Sequence, residues 1–317
     1  KNRDERYQSM REVSVDLKRY KRDLEGKRIE RKSAELERRT PHAFRPTPKR
    51  GRAIDSLAVM PFVNVSADPN MEYLSDGITE SLINILSQLP KVRVTARSTV
   101  FRYKGREVDP QLVGQDLSVQ ALMTGRVVQR GNTLNIQAEL VNVVDGSQLW
   151  GEQYNRTVSD IFVVQEEIAR HISEKLQIKL TGEEKKRLTK RHTESPEAYQ
   201  LYLKGRYFWN KRTSEGFTKG IEYFEKALRA DPNYALAYAG LADSYNLLGA
   251  YSLLPPEEAF SKGKAAATRA LGIDETLAEA HTSLASAQLN LLWDWSSAEI
   301  EYKRAIELNP NYATAHH

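Results

Sequence analysis

The sequence feature that most constrains the fold is a pattern that occurs three times in the last third of the chain. Each occurrence begins with Phe, Ala or Tyr. An alanine stands three positions later, and an acidic or amide residue stands four positions after that alanine. The three occurrences are Phe224-x-x-Ala227 with Asp231-Pro232, Ala267-x-x-Ala270 with Asp274-Glu275, and Tyr302-x-x-Ala305 with Asn309-Pro310. Proline lacks a backbone N–H and cannot continue a helix, so the pattern marks where one helix ends and the next begins.

A second pattern follows each of these endings. A ring-bearing residue is followed by Leu and Ala, as in Tyr238-x-x-Leu241-Ala242 and His281-x-x-Leu284-Ala285, and a further start falls at Ala313. Small residues at these points, including Gly205 in the first unit, let two helices approach closely. The sequence therefore predicts an all-α solenoid over residues 197–317, with three helical hairpins and the start of a fourth.

This solenoid resembles the tetratricopeptide repeat family. It departs from the family pattern at Glu275, where a proline is expected, at Lys204, and at an insertion, Tyr251–Pro256. The resemblance implies that protein or peptide partners bind in the concave groove of the repeats. The candidate groove residues are Tyr245 and Asn246, although a tyrosine at this spacing is more typical of a core.

Residues 56–180 combine short apolar segments with amphipathic helices, which is typical of an α/β domain with a mixed sheet. Strands are predicted at Leu57–Phe62, Val92–Thr95, Ala121–Gln129, Leu134–Val143 and Gln148–Asn155. Helices are predicted at about Met71–Leu89, Val108–Leu117 and Ser159–Leu180. Gly131 and Gly146 fall between the last three strands, where they can supply the positive φ of a tight hairpin.

Many positions of this region, taken in order, resemble the TolB N-terminal-like domain. They are Ser56–Pro69, Tyr73–Glu80, Ala96–Ser98, Tyr103–Gly105, Leu122–Gly125 and Leu149–Trp150. The resemblance covers about residues 55–180 and implies no enzymatic activity. A polar cluster within it is a candidate ligand site, formed by Asp76, Thr79, Glu80, Arg97 and Ser98. A structural alternative is favoured, in which Asp68 and Asp76 cap a helix and Gly77 allows close packing.

The first 52 residues differ from the rest of the chain in charge. They hold 18 Lys and Arg against 9 Asp and Glu, a net charge of +9, whereas the remainder holds 29 against 33, a net charge of −4. Apolar residues at three- and four-residue steps predict a helix over residues 3–39, and three prolines make residues 40–55 a basic linker. Acidic and basic residues alternate here without an aromatic stacking platform, which argues against nucleic-acid binding.

The start of the chain is similar to the last helix and tail of bacterial Ser/Thr protein kinases of the eukaryotic type. The matching segments are Lys1–Ser9, Leu17–Arg19 and Arg22–Leu24. The resemblance implies that residues 1–39 end a kinase C-lobe, in which Arg6 is structural and pairs with a buried glutamate. It also implies that ATP and Mg²⁺ bind in a preceding domain, because this sequence carries no Gly-rich loop, H-R-D, D-F-G or A-P-E segment.

Taken together, these resemblances indicate a multidomain, non-catalytic segment of a bacterial Ser/Thr protein kinase. A charged connector, residues 181–196, joins the α/β domain to the repeats. We expect the segment to regulate signal transduction in the cytoplasm by recruiting protein partners through the repeats. The alternative is a regulatory tail of a nucleotide cyclase or transcriptional regulator, since the same two modules also follow cyclases.

No metal, cofactor or membrane span is expected within this segment. The sequence has no cysteine, and its six histidines form no H-x-x-x-H or H-E-x-x-H pair. No apolar run approaches the roughly 18–20 residues that cross a bilayer.

Overall fold

The chain forms a mixed sheet followed by a helical array, and the computed structural model describes residues 54–66, 68–89, 91–106, 109–178 and 180–316. The predicted N-terminal helix, Arg6 and nearly all of the 40–55 linker lie outside the described residues. The six strands of the sheet are β1 Ser56–Val59, β2 Val63–Asn64, β3 Arg93–Val94, β4 Ala121–Arg130, β5 Thr133–Asn142 and β6 Gln148–Thr157.

The strands lie in the order β3-β1-β4-β5-β6, and β2 pairs with β4 on the same side as β1. Strand β1 runs parallel to β3 and β4, whereas β4, β5 and β6 form an antiparallel meander. Gly131 at φ +59° and Gly146 at φ +71° lie in the two turns of the meander, in the left-handed region that glycine adopts without strain. Each long strand ends within two residues of its predicted end.

Two long helices pack against the sheet and bury their apolar faces. The helices of this region are α1 Glu72–Ser87, α2 Arg97–Val100, α3 Pro110–Asp116, α4 Ile161–Lys175 and α5 Gly182–Leu188. The buried residues of α1 and α4 recur at three- and four-residue steps: Leu74, Ile78, Leu82 and Leu86, then Ile161, Val164, Ile168 and Ile172. The sequence did not predict α2, and α5 lies within the segment expected to be a charged connector.

The start of α1 differs from the expected capping. A short 3-10 helix, Pro69–Met71, precedes α1, and α1 begins without a side-chain cap. The Asp68 carboxylate accepts a hydrogen bond from the backbone N–H of Asn70 at 2.8 Å, so Asp68 caps the 3-10 turn. Asp76 lies inside α1, beyond its first turn, and the prediction that it caps a helix is wrong. Its carboxylate instead accepts hydrogen bonds from Lys104.

Six helices follow as three hairpins. They are α6 Pro196–Trp209 with α7 Ser214–Ala230, α8 Ala235–Ala250 with α9 Pro256–Ile273, and α10 Ala278–Leu292 with α11 Trp295–Leu308. A 3-10 helix, Ala313–His316, stands where the fourth unit was predicted to start. The predicted architecture of a mixed α/β domain followed by helical repeats is confirmed. The predicted insertion coincides with the turn between α8 and α9.

Phe224 shows why the repeats need small residues at fixed positions. Its fully buried ring lies between the first two hairpins. A Cβ added to Gly205 would lie 2.5 Å from this ring, and one added to Gly240 would lie 2.6 Å from it. Both distances are shorter than packed carbon atoms tolerate, so the two glycines make room for the ring. Full burial of such a side chain contributes about 1.5–3 kcal/mol.

The hydrophobic core runs without a break from the sheet into the first repeat. One cluster of buried residues includes Leu57 of β1, Ile78 of α1, Leu203 of α6 and Phe224 of α7. Gly77 of α1 permits this contact, since a Cβ there would lie 2.8 Å from Leu203 Cδ2. The expected close-packing role of Gly77 is therefore confirmed, and its packing partner is the repeat array. The α/β domain and the repeats share one core.

Candidate functional site

The first helices of the three hairpins face the α/β domain. Helices α6, α8 and α10, together with residues 311–314, line a cavity of about 530 Å³ whose opposite wall comes from α1, α2 and their neighbouring residues. The contributing residues of the repeats are Tyr202, Arg206, Trp209, Asn210, Arg212, Leu236, Ala239, Gly240, Asp243, Glu279, Asn311, Tyr312, Ala313 and Thr314. We call this contact between the α/β domain and the inner face of the repeats the junction.

Glu80 of α1 is the central acid of the junction. Its side chain is 9% exposed, and it lies against two guanidinium groups. Arg97 Nε of α2 lies 2.8 Å from Oε2, and Arg206 Nε of α6 donates to Oε1 at 2.7 Å. Asn210 Nδ2 adds a hydrogen bond to Oε2 at 2.8 Å. These three contacts replace the hydrogen bonds to water that the Glu80 carboxylate loses on burial.

The ion pairs continue from Glu80 across the repeats. Arg206 Nη1 lies 3.2 Å from Asp243 Oδ2 on α8. The hydroxyl of Ser283 on α10 donates to the other oxygen of Asp243. A single chain of charged and polar contacts therefore joins α1 and α2 to the first helix of every hairpin.

Burial and the neighbouring charges shift the pKa values of Glu80, Asp243 and Arg206 in opposite directions. Burial by itself would raise the pKa of Glu80, but Arg206 and Arg97 outweigh burial and lower it from the usual value. Burial raises the pKa of Asp243, and Arg206 offsets only part of that rise. Burial would lower the pKa of Arg206, but Glu80, Tyr202 and Asp243 together outweigh burial and raise it. Glu80 and Arg206 therefore both stay charged, and their ion pair joins α1 to α6.

A second set of contacts joins α1, α4 and α6 through one phenol. Ser81 Oγ and Gln165 Nε2 each lie 2.8 Å from the hydroxyl of Tyr199. Burial raises the pKa of Tyr199 to about 12, so the phenol stays protonated and able to donate. This triad fixes the start of the repeats against both long helices of the α/β domain.

Two asparagines after the third hairpin return to the α/β domain. Asn309 Nδ2 donates to Ser87 Oγ at 2.9 Å. Asn311 Nδ2 donates to the backbone carbonyl of Ser87 at 2.8 Å and to that of Val92 at 3.1 Å. Ser87 is the last residue of α1, so the bond from Asn311 to its carbonyl also satisfies an acceptor at the helix end. The repeats thus hold α1 near its middle and at its C-terminal end.

The residues of the predicted ligand cluster divide between the junction and the interior of the α/β domain. Glu80, Arg97 and Ser98 line the cavity. Asp76 pairs with Lys104 at 2.6 Å instead. Thr79 Oγ1 accepts from the backbone N–H of Phe62 at 2.9 Å, which ties α1 to the residues after β1. The structure therefore does not bring the five residues to a single site.

The two predicted groove residues, Tyr245 and Asn246, lie between repeat helices, and neither lines the cavity at the junction. Asn246 is 5% exposed, and its Nδ2 donates to the backbone carbonyl of Ser283 at 2.8 Å. Tyr245 packs against the apolar cluster of Trp209 and Leu248, in keeping with the alternative of a core position.

Sequence reasoning missed the charged residues of the repeats that form the junction. Arg206 directly follows the small residue Gly205, and Asp243 directly follows Ala242. A charged residue after the small residue of two successive repeats was a usable signal, because neighbouring repeats present equivalent positions to the same face.

No group of His, Asp and Glu side chains among the described residues is arranged to hold a metal ion. None of the described helices is long and apolar enough to cross a bilayer.

Comparison with known proteins gives one relative in sequence and partial likenesses in structure. No protein-family model matches the chain. A protein of Rhizobium meliloti (strain 1021) named "Putative adenylate cyclase 3" is 35% identical over 205 residues, which cover 65% of this chain. The chain spans 35% of the length of that relative.

Solved structures with a likeness to the chain include a repeat domain and a TolB protein. The first tetratricopeptide repeat domain of Spaghetti, bound to an HSP90 peptide, is 21% identical and covers 40% of this chain and 90% of its own, with a TM-score of 0.32. TolB from Acinetobacter baumannii is 16% identical and covers 41% of this chain and 30% of its own, with a TM-score of 0.30.

Proposed function

We propose that this chain is a non-catalytic, regulatory and protein-binding segment of a bacterial signalling protein. In this proposal the α/β domain and the repeats work as one unit, and the inner face of the repeats recruits protein partners. The partner contacts the junction, where α1 already lies against the repeats.

The observation that supports this proposal is the way the inner face holds α1. Three successive repeats contribute Arg206, Asp243 and Ser283 to one chain of polar contacts that ends on Glu80 of α1. A face that already binds α1 through a series of ion pairs and amide hydrogen bonds has the chemistry to bind a helix or peptide of another protein. A partner that displaced α1 from this face, or bound there beside it, would also change the α/β domain. Partner binding and the conformation of the α/β domain would then be coupled.

Site-specific crosslinking in the parent protein tests where a partner binds. A photoreactive residue is placed at Ser98, which is exposed and lines the cavity, or at Glu222, which is exposed on the second helix of the first hairpin. We expect a discrete adduct with another polypeptide from Ser98 and none from Glu222. Adducts of equal yield from both positions, or none from Ser98, would contradict recruitment through the inner face.

The parent protein that we propose first is a Ser/Thr protein kinase. The support is the likeness of residues 1–39, including Arg6, to the end of a kinase C-lobe. In that arrangement ATP and Mg²⁺ bind in the preceding kinase domain, and the segment described here carries no cofactor of its own.

The second candidate is the regulatory tail of a nucleotide cyclase. The observation that favours it is the 35% identity with the Rhizobium relative over 65% of this chain. Because the match covers about a third of that relative, its activity comes to this chain only as a proposal.

A reaction assay of the parent protein separates the two candidates. Incubation with labelled ATP and Mg²⁺ transfers label to serine or threonine if the parent is a kinase. It yields a cyclic nucleotide without protein labelling if the parent is a cyclase. An isolated chain of residues 1–317 that turned over ATP would contradict both versions, since both place the catalytic site elsewhere.

A further inference from the structure

The two edges of the sheet differ in length. Strand β3 forms one edge and has two residues, whereas β6 forms the other edge and has ten residues, paired only with β5 among the described residues. Proteins usually keep a sheet edge from pairing with other chains by making it short or by placing proline or lysine in it. Strand β6 contains neither residue. It therefore presents a long edge to which a further strand can pair.

The backbone groups at the open edge of β6 belong to its odd-numbered residues. Val158 N donates to Asn132 O at 3.1 Å, and in an antiparallel pair such bonds recur at every second residue. The even-numbered residues of β6 therefore bond to β5, while Gly151, Gln153 and Asn155 direct their N–H and C=O groups away from it. These groups have no backbone partner in the part of the chain that the structure describes. The Asn155 carbonyl accepts one bond at 3.1 Å, from the guanidinium of the next residue.

The charged side chains of β6 are arranged to complement a second copy of the same strand. Glu152 and Arg156 lie on the face of β6 toward α4, and their side chains are 42% and 43% exposed. Their contacts within the chain are to His171 at 3.0 Å and to Glu167 at 3.7 Å. If a second β6 runs antiparallel and crosses the first at Tyr154, Glu152 of each copy lies opposite Arg156 of the other. Opposite charges in this position stabilise a strand pair.

The opposite face of β6 carries a matching set of amides. Asn135 Nδ2 of β5 donates to Asn155 Oδ1, and Gln137 Nε2 of β5 donates to Gln153 Oε1 at 3.4 Å. Both rows of amides end at β6. The same crossing at Tyr154 sets Gln153 of each copy opposite Asn155 of the other, so each row continues across the edge into the second copy. Charge and amide positions therefore select the same alignment of the two strands.

We propose that the chain forms a symmetric dimer in which β6 pairs antiparallel with β6 of a second copy, crossing at Tyr154. The two sheets then become one continuous sheet, and the pairs of Gln153 with Asn155 exchange the central main-chain hydrogen bonds. A symmetric crossing at Glu152 would set two like charges opposite each other, which destabilises a strand pair. The dimer goes beyond partner recruitment and does not rest on it, because the junction is built from α1, α2 and the repeats.

Disulfide trapping tests the alignment directly, because the chain has no cysteine of its own. Gln153→Cys and Asn155→Cys change exposed residues, and each is made in a full chain of residues 1–317. Directly opposite residues have Cα atoms about 5.5 Å apart, within disulfide reach, whereas identical residues of the two copies lie diagonally at about 7–8 Å. We expect oxidation to link the mixture of the two variants and neither variant alone. Gln137→Cys replaces Gln153→Cys as the control, since β5 lies one strand farther from the edge.

Charge reversal measured by sedimentation equilibrium completes the test. Glu152→Lys places a lysine opposite Arg156 at both symmetric contacts, and we expect it to weaken the dimer about tenfold. Adding Arg156→Glu to the same chain should restore the affinity. Glu222→Lys makes the same charge change on the exposed face of α7 and should leave the dimer unchanged. The proposal is overturned if the unmodified chain stays monomeric up to about 0.5 mM, if the mixed cysteine variants do not link, or if the double reversal fails to restore dimerisation.

Discussion

Arg206 donates from Nε to Glu80 Oε1 at 2.7 Å, although the two residues are 126 positions apart in the sequence. The pair joins α6 of the repeats to α1 of the α/β domain, and its side chains are 15% and 9% exposed. Little water reaches either group, so each charge depends on the other for compensation. The rigidity of the junction should therefore depend strongly on this contact.

We expect Arg206→Met to lower the free energy of unfolding by about 3 kcal/mol, because removing one partner of a buried pair leaves the other charge uncompensated. Methionine keeps most of the side-chain volume, so the loss reports charge and hydrogen bonding. Urea denaturation followed by circular dichroism measures the change. Arg229→Met, on the exposed face of α7, is the control and should change stability by less than about 0.5 kcal/mol.

A double-mutant cycle checks that the loss comes from the pair itself. Glu80→Gln and Arg206→Met should be less destabilising together than the sum of the two single changes, since the double variant buries neither of the two charges. Additive effects would show that the two residues act independently and would remove the pair as the basis of the junction.

Gly205→Ala should destabilise the first hairpin by about 1 kcal/mol net. An added Cβ would lie 2.5 Å from the Phe224 ring, which cannot retreat because Gly240 confines its other side. Overpacking of this kind costs about 1–3 kcal/mol, while alanine recovers up to about 1 kcal/mol in helix propensity. Thermal unfolding measures the balance.

Gly272→Ala is the matched change, since nothing lies within 4 Å of a Cβ added there in α9. We expect it to be neutral or to stabilise by up to about 1 kcal/mol. If both glycine variants shifted the melting temperature in the same direction, close packing would not be the reason for glycine at position 205.

The elements of the fold were predictable where the signals are local. Gly131 and Gly146 marked the turns of the meander, and Phe224 with Ala227 marked the second helix of a repeat. Hydrophobic periodicity and turn chemistry involve residues close in sequence, which is why these predictions agree with the structure.

The junction was not predictable in the same way. Glu80 and Arg97 appeared in the predicted polar cluster, but nothing near them in sequence identifies Arg206 as their partner. The rotation of α8, which turns Asp243 toward α1 and Asn246 toward Ser283, depends on packing between hairpins. Pairings of this kind are set by tertiary contacts over long sequence separations and leave only weak traces in one sequence.

The free energy of unfolding should depend on pH through Asp274, the residue after α9, because His192 and Lys190 of the connector bind its carboxylate. Burial would raise the pKa of this carboxyl, but hydrogen bonds from His192, Lys190 and Thr276 outweigh burial and lower it from the usual value. Lys190 Nζ lies 2.7 Å from Oδ2. A carboxyl with a depressed pKa adds stability that is complete above its unfolded pKa and is lost as the pH falls toward the folded one.

We therefore expect the stability advantage of the unmodified chain over Asp274→Asn to be constant above about pH 5 and to shrink below about pH 4, where the unfolded carboxyl takes up its proton. Urea denaturation of both proteins at a series of pH values gives the difference directly. A difference that stayed constant down to about pH 2 would mean that Asp274 has the same proton affinity folded and unfolded.

The hydrogen bond from Asn311 to the end of α1 should control local unfolding at the end of the repeats. Asn311 Nδ2 is shared between the carbonyls of Ser87 and Val92, so Asn311→Ala leaves two acceptors without this donor. We expect a loss of about 1–2 kcal/mol, the usual effect of removing a partly buried hydrogen-bonding group. Amide hydrogen exchange should accelerate at Ala313–His316 more than in the sheet, since this segment is attached to α1 beside that contact.

Asn290→Ala is the control for this last change. Asn290 is exposed in α10 and bonds within its own helix, to the carbonyl of Ser286 at 2.8 Å. Its removal should leave exchange at Ala313–His316 unaltered. Equal acceleration by both variants would show that the segment opens for reasons unrelated to α1. Selective acceleration by Asn311→Ala would show that the repeats are held closed on the α/β domain from their far end as well as through Arg206.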